Sequence, residues 1–206
     1  MKVRFVVASV MSLVVLAGCS SKPQLAGAAA VVGDTQISQA TVTEIVNAAL
    51  VEVKTSPSAA NAQAPTAAQL GGMVVDRLVV SALLHQVGKD QPTILVTPKQ
   101  VDAFTQQIFA QYGEQAVSDQ LLFQSGIPKS DIKAFVEDYM LKQSIARTIA
   151  PTADQNGQST ALYQFLGEEA KNIGVRIAPR YGVWDPASSQ AVAGDNTLSF
   201  PATPTN

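Results

Sequence analysis

The chain has 206 residues, with 14 Lys and Arg against 16 Asp and Glu, one histidine and one cysteine. A net charge of −2 offers no basic surface for nucleic acid, a lone cysteine closes no intramolecular disulfide, and one cysteine with one histidine is too few for a Cys/His metal site. No cofactor or metal is expected, and with 47% hydrophobic residues and no tandem repeat the chain suits one ordinary domain held by its core alone.

Lys2 and Arg4 precede an apolar run from Phe5 to Leu16 that only Ser9 and Ser12 interrupt, and the small residues Ala17 and Gly18 follow. That pattern predicts an export signal over residues 1–18, too short to span the roughly 30 Å of a bilayer core. The next residue, Cys19, completes "LAGC", which resembles a bacterial lipobox, whose cysteine is diacylated and becomes the first residue of the mature chain. The resemblance implies lipidation at Cys19, a tether over 19–27, and an extracytoplasmic protein anchored to the cell membrane; two acyl chains, at about 0.8 kcal/mol per buried CH₂, suffice for stable anchoring. An ordinary secretory signal followed by an idle buried thiol is the weaker alternative, because a cysteine here has no core to enter. Ser20 is not the aspartate associated with inner-membrane retention, so in a two-membrane cell the resemblance points outward. Loss of Lys2 and Arg4 lowers the basic count from 14 to 12 against 16 acidic residues, a net of −4. No later apolar run reads as a second membrane segment.

In chain order, "AAAVV" predicts a short strand, Gly33-Asp34 a turn, and Ser38 the N-cap of a helix with Val42, Ile45, Val46, Ala49, Leu50 and Val53 on one face. Thr55 to Gln69 is small, polar and proline-punctuated, which predicts a disordered insertion. "LGGMVVDRLVVSALLHQVGKD" is apolar around most of its circumference and predicts a buried helix, with Arg77, Ser81 and His85 as a solvated polar stripe and Gly71-Gly72 at its start. Thr97 and Gln100 fit a capping box with Pro98 at N1, and Gly113 closes that helix, whose face is Val101, Phe104, Ile108 and Tyr112. A shorter helix stops at Gly126. A long one follows, with Ile132, Phe135, Val136, Tyr139 and Met140 inward and an Asp138–Lys142 i, i+4 pair, ending before Pro151. Pro151 to Thr160 predicts a linker, Leu162 to Ile173 a helix with Gly174 as C-cap, and "VRIAP" an edge strand able to pair with the first. Pro186 to Asn206 predicts a disordered tail.

Several phrases in this order, "AAAVVGDTQISQATV", "VVDRLVVSALLHQVGKD", "VTPKQVDAF", "GIPKSDIKAFVEDYMLKQSIAR" and "VRIAPRYGVWD", resemble the SurA/PrsA class of exported peptidyl-prolyl isomerase chaperones over residues 28–185. The resemblance implies a mainly α, SurA N-terminal-like helical domain, with a small two-stranded β element joining the two ends. In that family a parvulin isomerase domain usually follows the long helix, where this sequence has only Pro151 to Thr160. Parvulin sites resemble clusters of histidines with a cysteine or aspartate; here stand His85 and Cys19 alone. An enzyme is therefore not expected, and no catalytic residue is assigned.

Glu137-Asp138 and Glu168-Glu169 read as solvated helix faces rather than acid/base pairs, and no serine sits in a G-x-S-x-G elbow. His85 reads as part of the solvated stripe, with a pH-sensitive or ligand-contacting role as the sharper alternative. Tyr181 and Trp184, beside Arg180, either grip a client's aromatic side chain or cap the core where the ends meet. The expected function is a membrane-anchored holdase for unfolded or nascent exported polypeptides, with Phe109, Leu122, Phe123, Met140, Tyr181 and Trp184 as candidate client contacts. The alternative is an adaptor lipoprotein that holds one cell-envelope partner on the same scaffold.

Overall fold

The computed structural model describes residues 25–60, 63–89, 91 and 94–192. The predicted signal, Cys19 and most of the tether lie outside the described residues, as does the tail from 193 onward.

Small and β-branched residues let β1 (Ala28–Val32) be buried along its whole length between two neighbours. It pairs antiparallel with β2 (Thr35–Ser38) through the two-residue turn Gly33-Asp34, and with β3 (Val175–Ile177), in the order β2-β1-β3. Gly33 adopts φ +55°, and a Cβ there would stand 2.9 Å from Ile173 Cγ2, so glycine answers both the turn and the close approach. The predicted union of the two ends is present in β1–β3. The residues between the turn and the helix form a further strand, Thr35–Ser38, paired with β1 and with Ile37 buried.

Ser38 caps α1 (Gln39–Thr55), its Oγ accepting from Thr41 N at 2.9 Å, and Val42, Val46, Ala49 and Val53 face inward. The span after α1 is more ordered than its composition suggests. Thr55 ends α1, Pro57–Ala60 form a 3₁₀ turn, and α2 (Ala67–Lys89) begins before Gln69. Asp119 explains this order: its carboxylate accepts from Ser56 Oγ at 2.7 Å, Ser58 Oγ at 2.6 Å and Gln115 Nε2 at 2.9 Å, so the small polar residues are tied to the next lobe. Gly71 and Gly72 lie inside α2 rather than at its start.

By length and composition α2 could cross a membrane, contrary to the expectation of no second apolar run, yet in this fold it is the central core helix. Leu70, Val74, Val75, Val79, Leu83 and Leu84 are fully enclosed; each such side chain contributes roughly 1.5–3 kcal/mol of transfer free energy. Around it pack α1, the sheet, α5 (Ile132–Ile149) and α6 (Gln155–Ile173). Asp154 caps α6 through Gly157 N at 2.8 Å, so half of the predicted linker is helix and the α5–α6 connection is only residues 150–154.

After β3, a ribbon of β4 (Val183–Asp185) and β5 (Gln190–Val192) folds back over the body. The disorder expected from Pro186 therefore does not hold for 186–192. Asp185 accepts from Ala187 N and from the Ser188 amide and hydroxyl, and Asp76 on α2 accepts from Ala191 N at 2.6 Å, so local carboxylates consume the polar chain.

Candidate functional site

The remaining helices form a second, smaller lobe. Thr97 and Gln100 make the predicted reciprocal box at the start of α3 (Pro98–Tyr112), with Gln100 Oε1 accepting from Thr97 N at 2.8 Å. Gly113, at φ +85°, is the whole connection to α4 (Glu114–Ser125), which ends at Gly126 in the left-handed region with φ +64°. Val101, Ile127, Ile132 and Val136 form a small buried cluster separate from the main core.

Three helices with so small a shared core leave a gap. Between α3, α4 and the first turns of α5 lies a cavity of about 410 Å³, walled by Ile108, Phe109, Tyr112, Leu121, Phe135 and Val136, with Thr105 and Gln120 at its edges. That volume falls within the roughly 300–1,000 Å³ typical of ligand pockets. The hydroxyl of Thr105 is spent on Val101 O at 2.8 Å, so the wall there is effectively apolar. Tyr112 stands at the mouth, 63% exposed. Tyr139, expected inward, lies instead on the outside of the lobe, stacked on Phe104 with centroids 5.7 Å apart. The lining is predominantly apolar, with the Tyr112 phenol at its mouth, so the groove can recognise apolar side chains by burial.

Of the six residues predicted as contacts, the structure brings only Phe109 to this groove. Leu122, 2% exposed, belongs to the main core because α4 lies against α1, and Phe123 packs on the same core. Met140 packs on the small cluster. Tyr181 and Trp184 lie against the main core, with Tyr181 Cε1 3.4 Å from where a Cβ on Gly71 would be, an arrangement that matches the core-capping reading. The buried indole Nε1 of Trp184 has no hydrogen-bond partner. Ile108, Tyr112, Leu121 and Phe135 were not singled out as contacts. Their signal was the stripe Phe104, Ile108, Tyr112, which continues to an end of α3 with nothing left to cover it.

The polar stripe of α2 is not simply solvated. α2 and α5 run in the same direction, and the stripe meets carboxylates on α5 and on the turn that leads into it: Arg77 pairs with Asp131 of that turn, Ser81 Oγ donates to Asp138 Oδ1 at 2.9 Å, and His85 Nε2 lies 3.5 Å from the same oxygen. Asp138, read as part of a solvated face, is 5% exposed. Burial pushes its carboxyl above the usual range, against the opposing pull of Ser81, His85, Lys142 and Arg77. Burial also pushes Lys142 down, opposed by the charge of Asp138, and pushes Asp76 up, opposed by the Ala191 amide. These groups surround a second cavity of about 290 Å³ that shares Phe135 with the groove. Among the described residues no group of three or more His, Cys, Asp or Glu side chains could hold a metal.

A helical body tied by strands from both ends, carrying a small lobe with an open apolar groove, defines a mainly α scaffold of the SurA type. A family model described as the SurA-like N-terminal domain matches residues 1–146, and the chain belongs to that family. The match ends within α5, so α6 and the strands β3 to β5 lie beyond it. Searches of the curated proteins and of the solved structures found no match.

Proposed function

We propose that this protein is a membrane-anchored extracytoplasmic holdase, which shields apolar segments of unfolded exported polypeptides in the α3–α4–α5 groove without isomerase catalysis. The observation that carries the reading is the groove itself: an apolar cavity of about 410 Å³ open at an exposed Tyr112, on a member of the SurA-like N-terminal domain family. Binding there costs the client little specificity, because burial of apolar surface is non-directional. The lipobox resemblance at Cys19 supports the anchored location, and the chain's single histidine supports a role without parvulin-type chemistry.

The test is suppression of aggregation of chemically unfolded model proteins by the chain from Ser20, titrated to equimolar, beside the variant Tyr112→Asp, whose side chain is mostly in solvent and should leave the fold intact. Suppression across unrelated clients, weakened about tenfold (about 1.4 kcal/mol) in the variant, is expected. No suppression by the folded wild type would move the assignment to an adaptor for one partner. Intact mass of membrane-extracted protein should show acyl groups at Cys19, and their absence removes the anchor.

A further inference from the structure

The stripe on α2 takes no part in the groove, and its geometry carries an inference that stands whether or not the holdase reading does. Asp138 is enclosed between α2 and α5, while the His85 side chain beside it is 46% exposed on the rim of the seam. Water can therefore deliver a proton to the pair without unfolding anything. On its inner side the pair faces Arg77 and Asp76 from α2, Asp131 from the turn before α5, and Lys142 from α5. From α6 and the ribbon come only Tyr163, Ser189 and Gln190. On the outer side His85 shares a shallow hollow with the uncharged strand Thr35–Ser38 and with Lys89. Arg77 is engaged by Asp131, which leaves Asp138 without a hydrogen-bonded cation when the imidazole is neutral.

We propose that His85 and Asp138 form a proton-operated latch between α2 and α5, and that a proton taken up by the pair on acidification clamps α5, which borders the groove, against α2. Whether the proton rests on the imidazole, giving an ion pair, or on the carboxyl, giving a neutral acid, the cost of enclosing an unbalanced carboxylate is relieved. The direction follows from linkage: enclosure holds the Asp138 carboxyl above its ordinary value, so the stabilisation gained on protonation is present at the acidic end and lost as the pH rises. Lys142 has the opposite sign. Its charged form is disfavoured by burial, so it adds stability as the pH climbs toward the ordinary lysine range, outside the window of the latch.

The test is hydrogen exchange of the α5 amides in the full chain at pH 8 and pH 6, expressed as protection corrected for intrinsic rates. Wild-type protection should rise several-fold from pH 8 to pH 6. His85→Gln, at a half-exposed site, should fold and show no such rise. Asp138→Asn should also be flat, with protection at pH 8 equal to or above wild type because the enclosed charge is gone. A flat wild type, or a rise that persists in His85→Gln, overturns the latch. If Asp138→Asn does not fold, the histidine variant alone decides.

Discussion

The body and the lobe are built from the same material, amphipathic or apolar helices, and end in opposite conditions. In the body α2 is surrounded by α1, the sheet, α5 and α6, so its nearly continuous apolar surface becomes core. In the lobe α3 has neighbours on one side only, buries just Val101 and Thr105, and leaves Phe109 and Tyr112 lining a cavity. Along α5, which packs on α2 and also borders the groove, the seam with α2 is partly charged, from Arg77–Asp131 to His85–Asp138. An apolar stripe is thus a core or a binding face according to how many elements reach it, and the number of neighbours is a property of topology rather than of the stripe.

The sharpest way to break this comparison is to cut equal-sized holes in both regions. Leu84→Ala, at a fully enclosed position of α2, should cost about 2–5 kcal/mol and lower the midpoint of urea unfolding for the whole molecule. Ile132→Ala, beside an existing cavity into which neighbours can relax, should cost nearer 2 kcal/mol and loosen α3 and α5 in hydrogen exchange before it loosens α2. Equal losses with uniform exchange would mean that body and lobe are one cooperative unit.

Next in size is the ribbon that closes the body. Gly167 in α6 lies so close beneath the carbonyl of Pro186 that an added Cβ would collide with backbone, so Gly167→Ala should displace the ribbon at a cost of about 1–3 kcal/mol. Fluorescence of Trp184, the sole tryptophan, reads that displacement directly. Unchanged emission and stability would show that the ribbon is not held where Pro186 and the Asp76–Ala191 bond place it.

These sites also show what the amino-acid sequence could and could not convey. Ser38, the Thr97–Gln100 box, Pro98 and the glycines at 113 and 126 act within four residues of themselves, so their roles were legible, and so were the helices they bound. The ribbon was not. Its stability comes from Asp76, over a hundred residues away, and a run such as Pro186-Ala-Ser-Ser-Gln has no local feature that announces a distant acceptor. The seam was half legible. Leu141 and Ile145, both buried, place Asp138 on their own face at spacings of three and seven, which marks it as inward; that Ser81 and His85 would receive it depends on α2 and α5 running parallel. The groove was legible as a stripe on α3 but not as a groove, since Leu121 and Phe135 reach it from other helices.

Local features make the next prediction modest. Thr97→Ala removes the side-chain half of the capping box, leaves the backbone amide of residue 97 bonded to Gln100, and should cost about 1 kcal/mol, confined to the lobe. Exchange in α3 should quicken while α2 is unaffected, and an equal effect on α2 would again argue that the lobe does not open separately.

The smallest effect sharpens the comparison in pH. Asp119 is half-buried, and hydrogen bonds from Ser58 above all, then from Ser56 and Gln115, hold its carboxyl below the ordinary value of 3.8. Its contribution is therefore present above that value and lost as the pH falls through the depressed one, opposite in sign to the contribution of the enclosed Asp138. Stability measured by urea unfolding should accordingly rise on mild acidification and fall below about pH 4, where carboxylates held low in the fold become protonated. Asp119→Asn keeps an acceptor for the serines but not the titration, so it should shallow the acid limb alone. His85→Gln should remove the rise and leave the acid limb in place. If either substitution altered both limbs together, the Asp119 tie at α4 and the enclosed seam at α5 would be coupled, and the separation of body from lobe would not extend to their charges.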